Sequence, residues 1–97
     1  MEKYVLSVLV ANHTGVLSRV AGLFSRRAYN IESLSVGETE NPDLSRMTIV
    51  TEADKPTFLQ IKNQLAKLQE VMEIKVLAKD DPVYWQHMLM MEKLYKI

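Results

Sequence analysis

Tyr4-Val5-Leu6-Ser7-Val8-Leu9-Val10-Ala11-Asn12-His13-Thr14-Gly15-Val16-Leu17 is the stretch that decides the fold. Its first half is apolar in both phases, with Leu6, Val8 and Val10 alternating with Val5, Ser7 and Leu9. That pattern predicts a strand over Tyr4–Ala11 covered on both faces. Asn12-His13-Thr14-Gly15 then breaks it with residues that favour turns and helix N-caps, so a helix opens here. Val16, Val20, Leu23 and Phe24 recur at helical spacing, with Leu17 and Ala21 beside them. Ser18, Arg19, Ser25, Arg26 and Arg27 fall mostly on the other side, which predicts a helix from about Gly15 to Arg27.

Working outward, Asn30–Gly37 reads as a second strand in which Leu34 and Val36 alternate correctly. Ile31 is out of phase with them, which a bulge or a late strand start would explain. Glu38 to Asp43 forms a polar turn around Asn41-Pro42-Asp43, and Leu44–Glu52 is a third strand. The short connection makes strands two and three an antiparallel hairpin. Asp54 is the expected N-cap of a second helix, with Pro56 in its first turn and Phe58, Ile61, Leu65 and Leu68 along one face. Val71–Lys79 is a fourth strand, with Met72, Ile74, Val76 and Ala78 on one face and Glu73 and Lys75 toward water. Beyond Asp80-Asp81-Pro82, Tyr84, Met88, Met91 and Tyr95 are spaced four, three and four apart, as in an amphipathic helix.

The predicted order is strand, helix, strand, strand, helix, strand. This is the split βαβ, an α+β ferredoxin-like βαββαβ sandwich. Right-handed crossovers put both helices on one face of a four-stranded antiparallel sheet. The chain divides into residues 1–80, one domain, and residues 81–97, a C-terminal amphipathic tail. Val5 and Leu9 suggest that the helix-free face is apolar, and a bare apolar face of several hundred Å² marks an interface. A dimer at least is therefore expected.

The composition narrows the function. Among 97 residues, 12 are Lys or Arg and 12 are Asp or Glu, so the net charge is zero. Grip on nucleic-acid phosphates needs an excess of positive charge. The first and third strands carry one aromatic between them, Tyr4, so the stacking platform of single-strand RNA binders is missing. No cysteine is present, which excludes disulfides, thiolate metal sites and a cysteine nucleophile. The two histidines, His13 and His87, have no paired metal spacing. Gly15 and Gly22 are seven apart and form no phosphate-binding loop. No serine sits in a nucleophile elbow, and no set of nucleophile, base and oxyanion donors assembles. The chain is read as a non-enzyme with no catalytic residues, no metal site and no cofactor of its own. The apolar run from Val5 to Ala11 is too short for a bilayer and lacks the length of a signal peptide, so a cytoplasmic location and no membrane partner are expected.

The remaining chemistry lies in residues 12–17. A helix amino end presents free backbone N–H groups and a partial positive charge, which suit a carboxylate. Gly15 has no β-carbon, so a ligand can approach the backbone. Asn12 offers an amide donor and acceptor, and Val16 and Leu17 offer apolar surface for a branched side chain. A second reading uses the same residues structurally: Asn12 or Thr14 caps the helix and Gly15 relaxes the turn. Spacing alone leaves both open.

Several motifs point further. Leu6-Ser7-Val8-Leu9-Val10 is followed by Asn12-x-x-Gly15-Val16-Leu17-Ser18-Arg19-Val20. Then come Gly22-Leu23-Phe24-Ser25-Arg26-Arg27-x-Tyr29-Asn30-Ile31-Glu32-Ser33-Leu34-Ser35-Val36, Leu44-Ser45-Arg46-Met47-Thr48-Ile49-Val50 and Gln64-Leu65-x-Lys67-Leu68. Over about residues 3–79 the chain resembles the regulatory small subunits of acetolactate synthase (acetohydroxyacid synthase), within the ACT-domain group. The resemblance implies an ACT fold whose copies pair and bind an amino acid at the shared interface. It implies valine, or a related branched-chain amino acid, as feedback inhibitor of branched-chain amino acid biosynthesis. It implies a catalytic large subunit as partner, which would hold thiamine diphosphate, magnesium and FAD. Carried over residue by residue, the ligand positions are Asn12, Gly15 and Val16 in the first loop and Asn30 and Ile31 at the second strand's start, with His13, Thr14 and Leu17 beside them. Asn30 would face the Gly15 loop of a second copy. Longer members carry a second C-terminal domain; this chain stops at Ile97 and resembles the short form, and its tail from Val83 matches poorly. Two rivals stand beside this reading: an assembly partner that activates the large subunit without sensing an amino acid, and an ACT regulator of another enzyme.

Overall fold

The computed structural model describes residues 2–77. The elements run β1 (Glu2–Ala11), α1 (Val16–Arg26), β2 (Ile31–Glu38), β3 (Leu44–Ala53), α2 (Lys55–Ala66) and β4 (Val71–Leu77). The sheet order is β2-β3-β1-β4, and every neighbouring pair is antiparallel. This is the ferredoxin-like βαββαβ arrangement expected from the strand and helix pattern. The expected tail helix and the boundary at residues 80 and 81 lie outside the described residues.

The core forms where the two periods meet. Leu6, Val8 and Val10 of β1 and Met47, Ile49 and Ala53 of β3 point to one side of the sheet. Against them pack Val16, Val20, Leu23 and Phe24 of α1 and Phe58, Ile61 and Leu65 of α2. Tyr4 extends this layer by stacking on Phe58, with ring centroids 3.8 Å apart and planes within 5°.

Local signals set the helix ends. Asp54 caps α2 by accepting from the Thr57 amide at 2.8 Å, and Pro56 sits in the first turn, where its missing N–H costs nothing. Hydrogen bonds from the Thr57 side chain and from its backbone amide hold the Asp54 carboxyl below its ordinary range. At the end of α1, the Tyr29 amide donates to the Phe24 carbonyl at 2.9 Å and the Ala28 amide to Ser25 at 3.2 Å. This pair of bonds is a Schellman closure, with Ala28 in the left-handed region at φ 56° where glycine is usual. The Tyr29 ring meets Phe24 edge-on at 6.0 Å, which supplies the apolar contact of that motif. The closure aims the chain into β2. Pairing in β2 slips between Ile31 and Ser33, so Ile31 is out of phase because Glu32 is bulged out.

Two expectations need correction. The helix-free sheet face is not a bare apolar patch: at its centre Val5, Ser7, Thr48 and Val50 are at most 5% exposed, and two of the four are polar. Arg46 lies on the same face and donates to Ser7 Oγ at 2.6 Å, because alternation places Ser7, Arg46 and Thr48 in the phase of Val5 and Val50. In β4, Ile74 and Val76 share the core-side face as expected, opposite Val8 and Leu6, although Val76 on this edge strand is still 48% exposed; Met72 leaves that face and is 55% exposed. The pairing slips between Leu9 and Val10, which leaves Met72 outside the register and turns Val71 and Ile74 together toward the core.

Candidate functional site

The loop between β1 and α1 holds four of the eight candidate residues, Asn12 to Gly15, and the first turn of α1 holds two more, Val16 and Leu17. Gly15 is the N-cap of α1, with φ 89° and ψ −8°, and its absent Cβ would meet nothing within 4 Å. This left-handed conformation is what glycine supplies at that position. No side chain caps the helix, and no acidic residue occupies its first turn. The structural reading of Asn12 and Thr14 as caps is therefore not realised. The Val16 amide turns back to the His13 carbonyl at 3.3 Å, and the first helical bond runs from the Arg19 amide to the Gly15 carbonyl at 2.9 Å. The first turn of α1 carries no carboxylate of its own, and its Arg19 pairs with Glu70, so the Leu17 and Ser18 amides are left without an intrahelical acceptor.

Asn12 does something else. Its side-chain amide donates to the Pro42 carbonyl at 3.0 Å, and its backbone amide donates to Asp43 at 2.7 Å. One of its two side-chain N–H groups is thus spent on the turn between β2 and β3, and its side-chain oxygen remains an acceptor. His13 and Thr14 are exposed. Val16 and Leu17 part company: Val16 is 5% exposed and belongs to the core, whereas Leu17 is 48% exposed. Leu17 is therefore the apolar side chain that the loop presents, and Val16 contributes backbone only.

Asn30 and Ile31 lie elsewhere. Asn30 is exposed, and its carbonyl accepts from Thr51 Oγ1. Ile31 is half-buried against the core. Ile31 is level with Thr51, which is level with Tyr4, while the loop leaves β1 after Ala11. Tyr4 and Ala11 are seven residues apart on one strand. At about 3.4 Å per residue this separates the two groups by roughly 24 Å along the sheet. Within one chain the structure does not bring them together.

The contacts of two residues near the loop escape sequence reasoning. Glu70, in the turn before β4, accepts the Ala11 amide on its backbone carbonyl at 2.8 Å and holds Arg19 with its carboxylate at 2.9 Å. Pro42 holds Asn12 from the other side. These ties join residues distant in sequence, and no local motif marks them. A separate groove of about 540 Å³, lined by Leu9, Glu38, Leu44 and Arg46 among others, contains none of the candidate residues.

The arrangement defines an ACT-type domain: a βαββαβ sandwich with a glycine-opened loop at the mouth of its first helix. The structure is similar to the acetolactate synthase small subunit of Thermotoga maritima, with a TM-score of 0.73 and 30% identity over 99% of this chain and 69% of that one. The ACT domain from GTP pyrophosphokinase of Chlorobium tepidum shares the fold alone, at TM-score 0.66 and 13% identity, covering 79% of this chain and 86% of that one. Residues 6–73 match the model of the AHAS small subunit-like ACT domain. The chain is 53% identical to the probable acetolactate synthase small subunit of Archaeoglobus fulgidus over 79% of its own length and 48% of that relative's. It is 51% identical to the acetolactate synthase isozyme 3 small subunit of Escherichia coli over 88% of its length and 52% of the relative's. The chain belongs to the AHAS small subunit-like ACT domain family, and it spans about half the length of the curated relatives it matches. No helix among the described residues is long and apolar enough to cross a membrane.

Proposed function

We propose that the chain is a regulatory subunit of acetolactate synthase that binds valine, or a related branched-chain amino acid, between two of its copies. One observation carries the shared site: the candidate residues fall at opposite ends of one sheet. β2 is an edge strand running parallel to β1, so its start lies far from the Gly15 loop and its end lies near it. If two β2 edges meet antiparallel, the second copy is reversed. The partner's Asn30 and the partner's Ile31 then arrive at the end of the sheet where the first copy's loop opens.

In such a site the amino acid carboxylate takes the outward amides at the mouth of α1. The ammonium takes the Asn12 side-chain oxygen, whose amide is already fixed by Pro42. The branched side chain lies against Leu17 and the partner's Ile31. Ligand binding favours one arrangement of the two copies over another, and the catalytic large subunit senses which is populated. A coupling of about 1–3 kcal/mol suffices, and it acts in both directions. Thiamine diphosphate, magnesium and FAD belong to the large subunit in this reading, and the assembly works in the cytoplasm.

Calorimetric titration with valine, leucine and isoleucine tests it. Saturable heat is the expected result; no heat with any of them favours an assembly partner without sensing. Co-purification with a thiamine-dependent large subunit is expected as well, and its failure points to a regulator of another enzyme.

A further inference from the structure

We propose that Glu70 is the positioning residue that sets the shape of the β1–α1 loop by gripping it at both ends. This rests on the reading of that loop as an amino acid seat. Glu70 stands in the turn between α2 and β4, outside every motif assigned to the site. Its backbone carbonyl accepts the Ala11 amide at 2.8 Å, at the last residue of β1. Its carboxylate Oε2 lies 2.9 Å from the Arg19 guanidinium, one turn into α1. Arg19 is also the residue whose amide closes the first helical bond onto Gly15, at 2.9 Å. One residue thus fixes the last position before the loop and the residue that anchors its far side.

The chemistry of the pair favours positioning over stability. The Glu70 side chain is 13% exposed, and its Oε1 is buried with no hydrogen-bond partner among the described residues. Placing a carboxylate there is costly, and an apolar residue of similar volume would pack with less penalty. What the ion pair adds is direction: a charge-assisted bond of fixed length between the turn and the helix. Arg19 is 56% exposed, so its side chain has room elsewhere and is held in place by Glu70. From the opposite flank Asn12 is tied to Pro42 and Asp43, and the two braces flank residues 13–15, whose His13 and Gly15 carbonyls bond forward into α1.

The test uses Glu70→Gln, Arg19→Gln, Arg19→Lys and the Glu70→Gln/Arg19→Gln double variant of the 97-residue chain. Amide hydrogen exchange over residues 11–19 is measured together with valine titration, and thermal melts verify the fold. Each Gln variant is expected to speed exchange at the Val16 and Arg19 amides, which are bonded to the His13 and Gly15 carbonyls, and weaken valine binding by about twofold to fivefold, the range an ion pair of this exposure supports. The double variant is expected to be no worse than either single, and Arg19→Lys to keep most of the wild-type behaviour. Unchanged exchange over residues 11–19 in both single variants would overturn the proposal, as would fully additive effects in the double. If the wild-type chain takes up no valine, the exchange measurements alone decide the role of Glu70, and the amino acid reading fails separately.

Discussion

Asn12 and Pro42, thirty residues apart, are joined by a 3.0 Å hydrogen bond from the Asn12 side-chain amide to the Pro42 carbonyl. The bond fixes the orientation of the Asn12 amide. Asn12→Asp keeps an oxygen toward the ligand and loses the donor to Pro42; Asn12→Ala loses both. Valine titration should show a larger loss for Ala than for Asp. Equal losses would mean that the side-chain oxygen contributes nothing to the ligand.

Gly15 is held at φ 89°, where any side chain is strained. Gly15→Ala should cost about 1–2 kcal/mol in a denaturant melt, since it forces an L residue into the left-handed region. Gly15→Asp adds a negative charge where the carboxylate would sit. In an assay with the catalytic subunit it should abolish valine inhibition and spare activation. Loss of both would show that the change acts through folding.

Ala28 carries the opposite prediction. It occupies the left-handed C′ position of a Schellman closure without being glycine. Ala28→Gly should relieve strain of about 1 kcal/mol, less the extra chain entropy that glycine brings, and raise Tm by a few degrees. A lowered Tm would mean that the entropy outweighs the strain.

The cap of α2 gives a pH signature. Hydrogen bonds from the Thr57 side chain and amide lower the Asp54 carboxyl in the folded chain. A folded-state value below the unfolded one means stability that is present above about pH 4 and lost as pH falls through the folded value. Asp54→Asn keeps a capping oxygen but does not titrate. Thermal melts between about pH 6 and pH 3 should show a shallower acid loss for Asp54→Asn than for wild type. Parallel curves would assign the acid loss to other carboxylates.

Much of this was legible in the sequence. The strand Tyr4–Ala11 and the helix after it were readable because a two-sided apolar run and a 3.6-residue stripe are different periods meeting at Gly15. The Asp54 cap and the Ile31 phase break carry local signals, and both appear in the structure. The site was less legible. Val16 belonged to the apolar stripe with Val20, Leu23 and Phe24, and the stripe's claim prevailed: its side chain is in the core and not toward a ligand. The ties of Glu70 to Arg19 and of Asn12 to Pro42 depend on how the turns converge at one end of the sheet, which no local pattern encodes. The character of the helix-free face is not legible from Val5 and Leu9 in β1 alone, because Arg46 and Thr48 share it only through the β1–β3 register.

A site assembled from two copies has a direct test. Gly15→Asp and Asn30→Ala each damage a different half of the same seat, so each homodimer alone should fail to bind valine. Co-expressed in equal amounts, they form mixed dimers in which one seat carries both changes and the other carries neither. By two-fold symmetry and random pairing, titration of the mixture should recover about a quarter of the wild-type valine sites. A mixture that binds no more than the two variants measured apart would show that the Gly15 loop and Asn30 never meet across an interface.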